Sequence, residues 1–535
     1  MKFNALYNPF KSIRTPSYGK RGMVATSQPF AAEAGFEILK KGGNAVDAAI
    51  ATAACLTVCE PTSNGIGGDA FAIVWFNNKL HGLNASGQSP KGISIPILRN
   101  LGYSEIPGFG WEPVNIPGIP AAWAELSKKF GTLPFETLLE PAIKYAEEGF
   151  PITPTVAKFW KISFDLYKKN FKDDKFKYWF ETFSPNGRSP HAGEMFYLKD
   201  HAKTLKIIAE TKSEAFYRGI LAEKIDYFSR KTGGYIRKED MEKYHAEWVE
   251  PISINYRGYD VFEIPPNGQG ITALIALNIL KGFNFNERDS ADTYHKQIEA
   301  VKLAFEDTLR YVTDINKMTV KIEDLLSDAY AEEKRKRIDR TAFMPKINET
   351  QKGGTVYLAT ADNYGNMVSY IQSLYQGFGS GLVVPGTGIA LHNRGKNFSF
   401  DPEHINALEP EKKPYHTIIP GFLMKNKKAI GPFGIMGAFM QPQAHVQVLM
   451  NCLDFNLNPQ AALDAPRWMW TKGKSVNIEH AFPKHIAECL HYKGHNLNYS
   501  IDEGDFGRGQ IIWKDENGVL SGGTDWRTDG TIYAW

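Results

Sequence analysis

A chain of 535 residues exceeds one ordinary domain, so it holds either several domains or one large core with covered sheets. Its 43% hydrophobic and 23% charged residues are those of a soluble globular protein, and a net charge of +3 makes no case for nucleic acid or an anionic membrane as partner. The four cysteines argue against a disulfide scaffold: Cys55 and Cys59 stand one helical turn apart in an apolar run that reads as core rather than as metal ligands, and Cys452 and Cys489 are isolated.

Met1-Lys2-Phe3-Asn4 leads into Pro and Tyr residues without a basic stretch followed by an apolar one, and the apolar run at 48–58 is too short to span a bilayer. A cytoplasmic protein is therefore expected. From Gly22 the pattern predicts a buried strand at 23–26, an amphipathic helix at 31–41 stopped by Gly42-Gly43, and a helix at 45–58 that is apolar all round and so must be buried on every side. Gly65-Ile66-Gly67-Gly68 looks like a phosphate cradle by composition, but it follows a helix and opens a strand at 70–76, the reverse of the nucleotide-binding order. Helices are expected at 120–130 and 135–149. Residues 153–199 are rich in Lys, Phe and Tyr and show no clear period. Helices follow at 201–210 and 214–232, strands within 249–265, then helices at 271–280, 293–313 and 329–339. Lys334-Arg335-Lys336-Arg337 reads as a solvated helix face. Residues 341–354 lose the apolar period and read as an exposed connector, a place where a cut disturbs no core.

Gly353-Gly354 then runs into Thr355, which opens an alternating pattern (Val356, Leu358, then Met367, Tyr370) broken at Asp362-Asn363-Tyr364-Gly365-Asn366. This predicts a strand-turn-strand hairpin with a hydroxyl at its first residue. A threonine at a strand start is ordinary β-former usage. The alternative is a chain cut between Gly354 and Thr355, after which the freed α-amine serves as base for its own hydroxyl. Further strands are expected at 418–424, 428–431, 511–514 and 531–535, with a helix at 443–453. Strands paired with helices at both ends of the chain point to one layered α/β core. His295, His392, His404, His445 and His480 are scattered without ligand spacing, so no metal is expected.

Several of these stretches, in collinear order, resemble the γ-glutamyltranspeptidase family: residues 22–74, Ile116-Pro117-Gly118 through Gly149-Phe150-Pro151, Phe216-Tyr217-Arg218-Gly219, the loop from Pro265 to Gly270, and the Thr355 hairpin. The resemblance implies a four-layer αββα sandwich of the N-terminal nucleophile hydrolase type. It implies self-cleavage into segments 1–354 and 355–535 that stay intertwined as a heterodimer, with further dimerisation left open. Thr355 would be the nucleophile and, through its amine, the base. By the same resemblance Ser373 assists that amine, and the N–H groups of Gly437 and Ala438 hold the oxyanion, Ala438 standing where the family has glycine. No cofactor is implied.

The positions that bind the glutamyl group diverge. Ser86 stands near the family's carboxylate-binding arginine, Tyr375 at an asparagine, Arg394 at an acidic or amide residue, Asn397 at the ammonium-binding aspartate, and His416-Thr417 at a serine pair. Arg394 is a candidate replacement anchor for a carboxylate. Residues 399–413 are shorter than the family's lid loop, which implies an open site and hydrolysis over transfer. The expected substrate is a γ-glutamyl amide such as glutathione. The alternatives are another short acidic amide, of oxamate or glutaryl type, or a non-enzymatic homologue that only binds small acids.

Overall fold

Every residue of the strand Met367–Tyr375 is buried, so it needs a covering layer on each face. Side-chain alternation sorts the two: Val368, Tyr370 and Leu374 join a core shared with helices, while Met367 and Ile371 join a second core lying between two sheets. In the computed structural model, which describes residues 14–346 and 353–535, those sheets have seven strands each. One runs Thr531–Ala534, Gly22–Thr26, Gly354–Asp362, Met367–Tyr375, Asp69–Phe76, Lys79–Ala85, Glu247–Val249, with every neighbour antiparallel. The other runs Ser17–Gly19, Leu520–Thr524, Arg508–Lys514, Lys428–Met436, Gly421–Lys425, Tyr259–Glu263, Ile252–Tyr256, again antiparallel. Helices including Pro29–Lys40, Ala45–Cys59 and Ile119–Phe130 cover the first sheet; Gly270–Leu280, Ala291–Tyr311 and Met440–Leu453 cover the second. This is the four-layer αββα arrangement, and strands from both sides of position 354 interleave in each sheet.

The helix Ala45–Cys59 is buried at all 15 positions, as its lack of a polar face predicts. Asn44 caps it, with Asp47 closing a capping box. Asp362 ties this helix to the hairpin turn: its carboxylate accepts from the N–H groups of Ala45, Tyr364 and Asn366 and from Asn366 Nδ2, all at 2.9–3.0 Å.

The glycine run before Asp69 has a packing purpose rather than a phosphate-binding one. A Cβ on Gly68 would lie 2.4 Å from the Ser373 carbonyl oxygen, so only glycine lets this loop approach the hairpin. The helix expected at 214–232 is two, Glu214–Arg218 and Ile220–Lys231, because Gly219 adopts an extended conformation between them. The aperiodic stretch after 153 contains the helix Pro154–Asn170, started by its proline and buried along an aromatic-rich face. Of 418–424, only Gly421–Lys425 forms the strand. The helix expected from 443 starts at Met440, since Pro442 falls in its first turn, where its missing N–H is harmless. A small sheet of Trp468–Lys472, Ser475–Glu479 and Asn496–Ser500 was not expected. Part of the expected connector, 347–352, lies outside the described residues, as does the stretch 1–13. Among the described residues no helix is long and apolar enough to cross a membrane.

Asp362→Ala removes acceptors from the turn and the helix start together; a loss of about 2–4 kcal/mol is expected in denaturant unfolding, and an unchanged midpoint would show that the turn holds without it.

Candidate active site

The hairpin sets Thr355 opposite Ser373 at one end of the layer between the sheets. An irregularity in pairing between Gly354 and Val356 leaves Gly354 opposite Tyr375. Gly354 and Thr355 are joined by a peptide bond whose carbonyl oxygen faces two hydroxyls. Ser373 Oγ donates to it at 2.8 Å, Thr355 Oγ1 lies 2.7 Å from it, and the two hydroxyl oxygens are 3.1 Å apart. The Tyr375 N–H donates to Ser373 Oγ at 2.7 Å, which turns the serine proton toward the Gly354 carbonyl. Thr355 and Ser373 are both buried.

Gly437 and Ala438 link the strand Lys428–Met436 to the N-terminus of the helix Met440–Leu453. Neither backbone N–H has a hydrogen-bond partner among the described residues, and Gly437 lines the same cleft as Gly353 and Gly354. Two free donors at a helix start suit a developing oxyanion. Ala438 has φ +50° and Tyr375 φ +76°, so two side-chain-bearing residues take the left-handed conformation around the Gly354–Thr355 bond. Each costs about 1–2 kcal/mol. Gln269 holds the turn by donating from Nε2 to the carbonyls of Ala438 and Thr417.

Beneath the hairpin lies a buried polar cluster centred on Asp69, directly across the sheet from Ser373. Arg394 grips its carboxylate through Nε and Nη2 at 2.8 and 3.0 Å and donates from Nη1 to Thr417 Oγ1 at 2.7 Å. His416 Nε2 lies 2.9 Å and His392 Nδ1 3.4 Å from the same carboxylate. The Tyr375 ring covers the Arg394 guanidinium at 4.6 Å. Ser86 bonds to Asn84 and Asn267, and Asn267 in turn accepts from the His416 N–H. The structure thus brings Ser86, Tyr375, Arg394, His416 and Thr417 into one connected region. Arg394, the candidate replacement anchor for a carboxylate, has its guanidinium buried and each of its three nitrogens engaged, by Asp69 and Thr417. Asn397 stands apart, on a cavity of about 870 Å³, with its Nδ2 unpartnered among the described residues.

The amino-acid pattern of residues 31–535 matches the family described as gamma-glutamyltranspeptidase. This chain belongs to that family. The glutathione hydrolase-like YwrD proenzyme of Bacillus subtilis is 35% identical to it over 523 residues, covering 96% of this chain and 98% of that protein. The oxamate amidohydrolase proenzyme of Klebsiella pneumoniae is 30% identical over 533 residues, covering 97% and 99%. A crystal structure of cephalosporin acylase from Bacillus halodurans superposes with a TM-score of 0.98 at 59% identity, covering 100% of this chain and 99% of that one. Within this family of hydrolases and transferases, relatives carrying different substrate names thus align over the whole length.

Asp69 went unnoticed in sequence, although an acid opening a strand directly after Gly67-Gly68 marks the loop that touches Ser373. Its burial pushes its carboxyl up, but Arg394, His416 and His392 together outweigh this and hold it well below the ordinary value. Burial, then the Arg394 charge, lowers His416 to about 4, so its ring is neutral. His295, expected to lie without ligand spacing, meets a second histidine: its Nδ1 lies 2.8 Å from His495 Nε2, with Glu299 alongside. The contact is a hydrogen bond between rings, and Lys302 Nζ already sits 2.6 Å from Glu299, so the group reads as a helix-to-loop tie with its negative charge compensated.

Asp69→Asn leaves the Arg394 charge buried and uncompensated, and a loss of about 3–5 kcal/mol is expected in denaturant unfolding. In the wild type, the lowered Asp69 contributes stability above its ordinary value and loses it only as the pH falls through its depressed folded value. His416 works in the same sense but in a higher window: the unfolded ring binds a proton below 6.5 and the folded one only near 4. Stability should therefore fall by roughly 2 kcal/mol through His416 as the pH drops from about 6.5 to about 5; a flat profile there would show that the ring accepts charge in the fold.

Proposed function

We propose that this protein cuts its own Gly354–Thr355 bond and then hydrolyses amides of small acidic acyl groups through an acyl-threonine. The observation that carries the reading is the Gly354 carbonyl facing both hydroxyls, with Ser373 donating to it at 2.8 Å. In the cut, Thr355 Oγ1 bonds to the Gly354 carbonyl carbon and the C–N bond breaks. The hydroxyl proton passes to the departing nitrogen, and Ser373 steadies the oxygen as it gains charge. Water then opens the ester, leaving a Gly354 carboxylate on segment 1–354 and a free amine on Thr355 of segment 355–535.

That amine, with an ordinary pKa of roughly 7.7–8.0, takes the Oγ1 proton when a substrate carbonyl arrives. The N–H groups of Gly437 and Ala438 receive the oxyanion. The substrate nitrogen leaves with the proton, and water releases the acid from Thr355. Ser373 orients the amine in place of the carbonyl it now contacts. Residues 399–413 fold down by way of Lys412, whose ammonium reaches the carbonyls of Ile405 and Ala407, and Ser89, whose hydroxyl donates to the Glu409 carbonyl. Thr355 is buried in the uncut chain, so it is the acyl-threonine formed after the cut that a loop this short would leave open to water, which favours hydrolysis over transfer.

The acyl group is the finer question. A γ-glutamyl group, as in glutathione, fits the family. Another acid, of glutaryl or oxamate type, is favoured by the commitment of Arg394 to Asp69 and by the similarity to proteins named acylase and oxamate amidohydrolase. Release rates from γ-glutamyl, glutaryl and oxamate amides decide between them.

Thr355→Ala is expected to give a single chain of 60.0 kDa with no amidase activity, against two pieces for the wild type in denaturing electrophoresis. A mutant that is cut and active would remove Thr355 from both roles, and an uncut, inert wild type would support a protein that only binds small acids. Ser373→Ala is expected to slow the cut by roughly ten- to a hundredfold, the range for one hydrogen bond to a charged group; a cut at the wild-type rate would release the serine from this role.

A further inference from the structure

Beside the scissile bond lies a cleft of about 370 Å³ bordered by Gly353, Gly354 and Gly437. Its walls are apolar: Phe109, Phe159, Ile162, Leu166 and Met469 line it, with Ile162 and Leu166 exposed at the rim. One guanidinium, Arg508, stands among them. It is 6% exposed, and its Nε is buried without a hydrogen-bond partner among the described residues. Among the described residues its only ion pair is a long one, Nη1 to Glu60 Oε1 at 3.4 Å, and the Phe159 ring packs against it at 4.8 Å. Asp505 lines the same cleft.

Other buried arginines of this chain are treated differently. Arg394 and Arg527 have Nε, Nη1 and Nη2 all engaged. Arg467 shares an unpartnered Nε but bonds through both Nη1 and Nη2, whereas among the described residues Arg508 bonds through Nη1 alone. A buried guanidinium with donors to spare is costly unless something completes it. Glu60 does so poorly: it is also held by Ser27, and burial raises its carboxyl pKa, which weakens it as a counter-charge.

We propose that Arg508 receives a carboxylate carried on an apolar arm of the amide substrate. The inference rests on the acyl-threonine reading, which puts the substrate carbonyl where Gly354 now stands, at the edge of this cleft. Gly353 and Gly354 withdraw from it once the bond is cut, and the arm takes their space. A planar fork binds a carboxylate through two nitrogens, and the Phe159 face keeps the fork flat. Either half of an amide supplies such an arm, a dicarboxylic acyl group or an acidic aromatic amine.

Three chromogenic or fluorogenic amides separate the cases: glutaryl p-nitroanilide, butyryl p-nitroanilide, and the butyryl amide of 4-aminobenzoate. For the acyl half, Arg508→Gln is expected to lower the ratio of kcat/KM for glutaryl over butyryl anilide by roughly ten- to a hundredfold. For the amine half, the same loss falls on the 4-aminobenzoate substrate. Unchanged ratios for both acids, in a variant that still cuts itself, overturn the assignment. Should Arg508→Gln fail to cut, Arg508→Lys serves, with a smaller fall expected. Inhibition of the wild type asks the question without a variant: glutarate or 4-aminobenzoate should bind roughly tenfold or more tightly than its neutral amide, and equal inhibition counts against Arg508. A wild type that is uncut and inert toward all three sinks the acyl-threonine reading and takes this one with it. Activity with unaltered charge preference sinks this one alone.

Discussion

The contact on which the rest of this molecule turns is the one between the Gly354 carbonyl and two hydroxyls, Thr355 next to it in the chain and Ser373 across the hairpin. A carbonyl and two hydroxyls meet in many loops without consequence. Here the geometry is over-determined. The hairpin is the centre of a seven-stranded sheet, and its turn is pinned to a buried helix by Asp362. The loop before Asp69 presses a glycine against the Ser373 carbonyl. Strain at Tyr375 and Ala438 is affordable only in such a frame.

In the reading proposed above, the Asp69 cluster is how one scaffold would change substrate without changing chemistry. Thr355, Ser373 and the Gly437-Ala438 turn sit on strand ends and a helix start, held by backbone pairing. The groups that would grip an acyl chain sit on the loops behind, where side chains alone decide. Filling that space with an arginine and its carboxylate would close one binding mode while leaving Thr355 and Ser373 in place. The lone guanidinium in the cleft then becomes the charge with most to offer a ligand.

Local pattern carried much of this into the sequence. The hairpin is legible because its apolar alternation is broken by a turn rich in Asn, Asp and Gly, and the helix Ala45–Cys59 because nothing polar interrupts it. The family resemblance supplied the layer order, the cut and the roles, none of which follows from periodicity. What stayed hidden depends on pairing across the chain. Asp69 and Arg394 are 325 positions apart, and nothing in either neighbourhood announces the other. Arg508 opens a strand like any arginine and differs only in what fails to meet it. The pattern also overran at 214–232, where the helical period persists across Gly219 although the backbone does not.

The interleaving of strands has a consequence for what a broken bond would mean. Thr531–Ala534 pairs with Gly22–Thr26, and that strand with Gly354–Asp362, so the last strand of the chain and the first after the cut flank one from near its start. Two pieces woven in this way have no shared face that can slide open; to part, they must unravel both sheets. Once cut, the molecule would hold together under dilution as firmly as an intact chain, because its dissociation is its unfolding. Reassembly would be another matter, since two strangers must then find each other and the reaction becomes second order in protein. Folding would thus be easy once, while the chain is whole, and the cut would turn a reversible fold into a kinetically trapped one.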